Sequence, residues 1–148
     1  MATVTLPDIT ILSLLVPKAQ VAFVHRNDTV RQVLEKMSYH RFEQIPVLDE
    51  EGHYVDSVAL GDLLFYLVNN QLNYNLINHI PLCDIPRNRN VCPLPISTPL
   101  KALIPYLVEQ NYVPMVDDKG IFIGIITRKA VFTTLFPQDA KTNQNNAY

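Results

Sequence analysis

The stretch VPMVDDKGIFIGIITRKAVF (residues 113–132) decides the fold, because IPVLDEEGHYVDSVALGDLL (residues 45–64) has the same plan 68 positions earlier. Ile45, Pro46, Asp49 and Gly52 answer Val113, Pro114, Asp117 and Gly120. In each copy an apolar run stops at an Asp-x-x-Gly turn and a second apolar run follows. Apolar residues then recur at helical spacing. That pattern predicts strand, hairpin turn, strand and helix.

The self-similarity continues upstream. VAFV (21–24) answers VCPL (91–94) 70 positions later, and Val30, Val33, Leu34 and Met37 answer Leu100, Leu103, Ile104 and Leu107. The change of offset shortens the joint between helix and strand in the second copy. Further back, LLVP (14–17) answers CDIP (83–86). Each copy therefore reads as short helix, strand, helix, strand, strand, helix. The first unit is expected over 8–70 and the second over 78–136, with 71–90 as linker and lead-in helix. A unit of that size has a sheet face to hide and little to hide it with. Two units packed face to face about an approximate twofold solve this and leave clefts at the seam. The expected class is α/β (of the α+β kind), with two small sheets packed together and flanked by helices. Pro105, inside a helical pattern, is expected to kink or shorten that helix. The tail PQDAKTNQNNAY (137–148) is polar and aperiodic and is expected to be disordered.

Composition narrows the function. Across 148 residues the net charge is -2, so no broad basic field invites nucleic acid or an anionic membrane, and any anion site must be local. Cys83 and Cys92 match no CxxC pattern, which points to reduced thiols in a cytoplasmic protein. The opening MATVTLPDITILSLLVP lacks a basic leader, and its apolar run is too short to span a bilayer. His25, His40, His53 and His79 show no metal-ligand spacing, and no Ser or Cys has an evident partner base. The expectation is a protein without catalytic residues or metal.

The chemistry concentrates in GIITRKAV (124–131). Val131, Phe132 and Leu135 follow Thr127 at helical spacing, so Thr127 reads as an N-cap and Arg128 and Lys129 fall in the first helical turn. The positive end of the helix dipole disfavours each cation there by roughly 0.3–1 kcal/mol. A phosphate completing the turn would reverse that, since each ionic hydrogen bond contributes roughly 1.5–3 kcal/mol. The bland alternative is a solvated helix start with both side chains turned away. RNRN (87–90) reads as a small solvated basic linker, with a phosphate contact as its alternative.

The duplicated block, with its Pro, its Asp-x-x-Gly turn and its GIITRKAV ending, resembles the cystathionine-beta-synthase (CBS) domain over roughly residues 8–136. The resemblance implies a tandem pair, which in that family commonly binds adenine nucleotides between its halves. The family's nucleotide motif runs Gly, two apolar residues, Thr or Ser, two variable residues, Asp, and its hydroxyl and carboxylate hold the ribose. Copy one (DSVALGDL) keeps Asp62 but has Ala59 for the hydroxyl; copy two keeps Thr127 but has Ala130 for the carboxylate. With Arg128 and Lys129 after Thr127, the chain is similar to stand-alone bacterial CBS-pair proteins that bind cyclic di-AMP. Carried over by position, the purine contacts are Gln20, Val21 and Ala22 with Phe42, Glu43, Gln44 and Ile45, and the phosphate contacts are Thr127, Arg128 and Lys129. The family often has a basic residue where Gln20 stands and a small hydroxyl residue where Glu43 stands, and a carboxylate beside a phosphodiester repels it.

Two other readings stay open. One is an AMP, ADP or ATP module in which Asp62 holds ribose; the other is a structural interaction module whose clefts are filled by side chains. The resemblance also implies a non-catalytic regulator that acts through a partner, a Rel-type guanosine tetraphosphate synthetase or pyruvate carboxylase. It further implies a homodimer seamed by the helices carrying Leu63, Leu64, Phe65 and Leu67, and Val131, Phe132, Leu135 and Phe136.

Overall fold

Each Asp-x-x-Gly stretch forms a hairpin because its aspartate closes the turn upon itself. Asp49 Oδ1 accepts from the backbone N–H groups of Glu51 and His53 at 2.9 Å each. Asp117 Oδ1 accepts from Lys119 at 2.8 Å and Ile121 at 2.9 Å. A computed structural model describes residues 9–137. The chain runs α1 (Ile11–Leu14), β1 (Val16–Pro17), β2 (Val24–His25), α2 (Val30–His40), β3 (Gln44–Leu48), β4 (Tyr54–Ala59) and α3 (Leu60–Asn69). The second half adds β5 (Leu94–Pro95), α4 (Leu100–Leu103), β6 (Tyr112–Val116), β7 (Phe122–Thr127) and α5 (Arg128–Leu135). Short 3-10 turns occupy Lys18–Gln20, Leu76–His79, Leu82–Asp84 and Ile104–Val108. From residue 138 on, the tail expected to be disordered lies outside the described residues.

The sequence repeat is reproduced in strand register. Gln44 faces Ala59 and Ile45 faces Val58 across β3 and β4, as Tyr112 faces Thr127 and Val113 faces Ile126 across β6 and β7. The parallel pair β2–β3 sets Val24 against Val47, and β5–β6 sets Leu94 against Met115. One sheet has the order β2-β3-β4 and the other β1-β7-β6-β5. The two hairpin turns are hydrogen-bonded to each other, Phe122 N–H to Gly52 O at 2.9 Å and Tyr54 N–H to Gly120 O at 3.2 Å. Deeper in the seam the Ser57 hydroxyl lies 2.5 Å from that of Tyr112 and 2.8 Å from that of Tyr54. Burial, against the opposing pull of the Ser57 hydroxyl, pushes both phenols above their ordinary range, so they serve the seam as neutral hydrogen-bonding groups.

The first helices differ between halves for a local reason. A capping box starts α2: Thr29 Oγ1 accepts from Gln32 N–H at 3.2 Å, and Gln32 Oε1 accepts from Thr29 N–H at 2.9 Å. Its counterpart α4 has only 4 residues before the chain tightens into a 3-10 turn. Pro105 has no N–H to give the Lys101 carbonyl, which shortens the helix as expected.

The lead-ins pack crosswise, which the linear reading of the repeat did not include. Ile11 of α1 is buried with Leu100, Leu103, Val113 and Ile126 of the second half. Ile77, Leu82 and Ile85 of the linker are buried with Val24, Val33, Met37 and Ile45 of the first. Likewise β1 joins the second sheet, Val16 opposite Ile125. The exchange ties the halves together through both cores.

The helix faces expected at a dimer seam divide in two. Leu63 and Val131 are core residues, and Leu67 and Leu135 pack on the cores from outside. Leu64, Phe65, Phe132 and Phe136 remain exposed. The division follows because α3 and α5 each also cover a sheet core.

Candidate functional site

Each β-strand that ends a hairpin feeds directly into a helix, so the helix starts lie side by side with the segments that precede β3 and β6. There the two halves enclose a cavity of about 960 Å³. The first half contributes 43–44, 59–62, Leu64 and Phe65; the second contributes 88–91, 108–111 and Arg128. Its charged lining groups are Glu43, Asp62, Arg89, Glu109 and Arg128.

Asp62 is buried and already bonded. One carboxylate oxygen accepts from Ala59 N–H at 3.0 Å and the other from Asn88 N–H at 3.1 Å. It thus performs half of a capping box for α3, while Ala59 has no hydroxyl for the other half. In the same stroke it anchors the linker to the first half.

Arg128 has found backbone partners. Its Nε donates to Leu107 O at 2.7 Å, and its Nη2 donates to Gln110 O at 3.1 Å and Val108 O at 3.4 Å. These carbonyls close the 3-10 turn after α4, the negative end of a helix, where a cation is favoured. The question posed by a cation at the start of α5 therefore has a structural answer: the backbone of Arg128 begins one helix while its guanidinium caps another. Thr127 behaves as the expected N-cap, its Oγ1 accepting from Ala130 N–H at 3.0 Å. Lys129 is exposed.

Of the residues singled out from sequence, the cavity brings together Glu43, Gln44, Asp62 and Arg128. Phe42 lines an adjoining apolar groove of about 1000 Å³ with Tyr39, Leu60 and Tyr74, its ring stacked on His40 at 5.3 Å. Ile45 is completely buried in the first core, and Ala22 packs against that core. Gln20 ends the 3-10 turn Lys18–Gln20, and the next residue, Val21, is half-buried. Sequence reasoning read 87–90 as a solvated basic linker with a phosphate contact as its alternative, and it passed over Val91 and Gln110. Gln110 is a buried amide that accepts from Cys92 N–H at 2.9 Å and donates to Cys92 O and Tyr112 O at 3.2 Å each. The repeat carried the missing signal: Asn90, Val91 and Cys92 are the second-half counterparts of Gln20, Val21 and Ala22.

Beneath the cavity, Arg87 Nε lies 3.2 Å from Asp56 Oδ2. Burial pushes the Asp56 carboxyl up, and the Arg87 guanidinium only partly offsets it. Among the described residues no cluster of histidine, cysteine and carboxylate side chains is arranged to hold a metal ion. No helix among them is long and apolar enough to cross a membrane.

The CBS-domain family model matches the chain twice, over residues 14–69 and 82–136. The chain belongs to the CBS-domain family. Its fold is that of a tandem CBS pair, as solved structures show. A CbpB crystal structure in complex with c-di-AMP superposes with TM-score 0.77 at 20% identity, covering 93% of this chain and 91% of that one. CbpB of Listeria monocytogenes, also in complex with c-di-AMP, gives TM-score 0.76 at 17% identity, covering 90% and 99%. CBSX2 in complex with AMP gives TM-score 0.69 at 24% identity, covering 88% and 98%. No curated protein matches the sequence.

Proposed function

We propose that this CBS pair is a non-catalytic regulatory module that binds cyclic di-AMP between its halves and passes its bound state to a partner protein. The observation that carries the reading is the seam cavity, built from both halves in near-equal share, so a ligand there bears on their mutual position. Its volume of about 960 Å³ stands at the upper end of the usual range for small-molecule sites.

Charge bears on the choice of ligand. Glu43 and Glu109 are exposed cavity residues with no ion-pair partner among the described residues. A phosphodiester carries one charge per phosphate, whereas a terminal phosphate carries about -1.5 to -2 near neutral pH. Cyclic di-AMP, with two phosphodiesters, carries about the charge of AMP and less than ADP or ATP, so two free carboxylates penalise ADP and ATP more than the cyclic dinucleotide. Asp62, whose oxygens already hold two backbone N–H groups, is poorly placed to give a ribose both hydrogen bonds.

The pseudo-twofold counterpart of this cavity pairs Gln20, Val21 and Ala22 with Thr127, Arg128 and Lys129, next to Phe42. We place the second base of the ligand there. In this reading the protein is a bacterial cytoplasmic homodimer, and by family resemblance its partner is a Rel-type guanosine tetraphosphate synthetase or pyruvate carboxylase. Ligand shifts the population of one arrangement of the halves, with a coupling on the order of 1–3 kcal/mol.

Calorimetric titration with cyclic di-AMP, AMP, ADP and ATP tests the reading. Tightest binding of cyclic di-AMP supports it. Preference for a mononucleotide replaces the ligand, and no heat with any of the four leaves a structural interaction module.

A further inference from the structure

Resting on the nucleotide reading of the seam cavity, we propose that Arg89 is the residue that recognises the ligand's phosphodiester there, and that Arg128 is a structural cap. Arg89 stands in a strap, residues 87–92, that is anchored on both sides of it. Arg87 is held by Asp56 at 3.2 Å and donates to the Ile85 carbonyl. Asn88 N–H is bonded to Asp62 Oδ1 at 3.1 Å, Val91 O to the Tyr54 hydroxyl at 2.8 Å, and Cys92 to Gln110 on both its N–H and its C=O. The anchors come from both halves, so the backbone of Arg89 is set on the cavity wall before any ligand arrives. Preorganisation of this kind lowers the ordering cost of binding.

The two cations lining the cavity are Arg89 and Arg128. Arg128 is engaged by three carbonyl oxygens. Arg89 is exposed, lies within ion-pair distance of no carboxylate and makes no side-chain hydrogen bond among the described residues. A cation left without a partner in a cavity that also carries Glu43 and Glu109 is what a singly charged phosphodiester requires. It supplies a planar fork for two phosphate oxygens, and it offsets the two carboxylates that would otherwise repel the ligand.

The test is calorimetry on the wild type and on Arg89→Ala, Arg89→Lys and Arg128→Ala, using cyclic di-AMP and adenosine, with the ligand-free melting midpoint of each. Arg89→Ala is expected to weaken cyclic di-AMP binding by about tenfold or more, with the midpoint and any adenosine binding unchanged, and Arg89→Lys to recover part of the loss. An Arg89→Ala protein that binds cyclic di-AMP within about twofold of wild type overturns the assignment and leaves the nucleotide reading standing. So does a loss matched by a lowered midpoint or by equal weakening toward adenosine. A wild type that binds cyclic di-AMP no better than buffer removes both.

Discussion

Arg128 Nε donates to the carbonyl oxygen of Leu107 at 2.7 Å, joining the start of α5 to the end of the turn that follows α4. Two further carbonyls, of Val108 and Gln110, share the same guanidinium. The last carbonyls of a helical turn have no later N–H to accept from, and the guanidinium supplies donors for those that end the turn Ile104–Val108. Arg128→Ala should therefore lower unfolding free energy by roughly 1–3 kcal/mol, read by urea denaturation of the ligand-free protein. Stability equal to wild type would show the cap to be dispensable.

Gly124 decides whether the lead-in can dock. A Cβ at this position would lie 2.2 Å from Val16 O and 2.9 Å from Leu15 Cδ1. The backbone of β1 has no flexible end to yield, so Gly124→Ala should cost about 1–3 kcal/mol or more. The loss should be local first: hydrogen exchange is expected to rise in residues 11–17 before it rises in β6. Uniform exchange across the second half would contradict the crosswise packing described above.

Much of this architecture was legible because a duplicated sequence is constrained twice. The offset of 68 between the hairpins reappears residue by residue in the pairs Ile45–Val58 and Val113–Ile126. The offset of 70 upstream reappears in Val24–Val47 and Leu94–Met115. What stayed hidden depends on distance in space. Periodicity shows that Ile11 and Ile77 are apolar, but not that each is buried in the other half's core. The same holds at the site. Thr127, Arg128 and Lys129 are adjacent in sequence and go three ways: into a cap, onto carbonyls and into solvent. Ile45, carried over to the ligand by position, is wholly enclosed in the first core with Val33 and Met37 of α2.

The cavity's acidic residues should set its ligand preference. Glu43→Gln removes a full negative charge beside the phosphate position while keeping the side chain's size. At a few ångströms in a wet cavity such a charge is worth on the order of 0.5–1 kcal/mol per phosphate charge. Affinity for ATP, the more highly charged ligand, is expected to rise by about fivefold or more, and affinity for cyclic di-AMP by less, with the gap narrowing at high salt. Equal gains for both ligands would mean that Glu43 does not discriminate by charge.

The linker is clamped to α2 in a way that responds to acid. Arg31 donates to Glu35 at 3.0 Å and to Asn78 at 3.1 Å, and the Tyr74 hydroxyl donates to Glu35 at 2.7 Å. The Tyr74 hydroxyl first, and Arg31 second, hold the Glu35 carboxyl below its ordinary value of 4.5. A depressed carboxylate pKa adds stability above the unfolded value, and that stability disappears as pH falls through the folded value. Glu35→Gln should therefore be less stable than wild type at neutral pH, with the difference shrinking as pH falls below the ordinary carboxylate value and through the lower folded one. A difference that persists unchanged in acid would assign the effect to packing instead of charge.

The exposed apolar residues of α3 and α5 make the homodimer testable without touching either core. Phe65 is 64% exposed and Phe132 53%, while their neighbours Leu63 and Val131 are 0% and 2% exposed. Such alternation separates two jobs on one helix, since the inward residues hold the sheet and the outward ones face a second copy, Phe65 from the rim of the seam cavity. Aromatic side chains in this position are the usual anchors of an interface, and a charge placed on one must be desolvated if the interface is to form. Phe65→Asp and Phe132→Asp are therefore expected to sediment as folded monomers with far-ultraviolet circular dichroism like that of the wild type. Leu63→Ala should instead leave association unchanged and reduce stability by roughly 2–5 kcal/mol. Sedimentation of the wild type as a monomer at the concentrations used would remove the dimer outright. A dimer undisturbed by both aspartates would move the interface elsewhere, to a surface that includes neither helix.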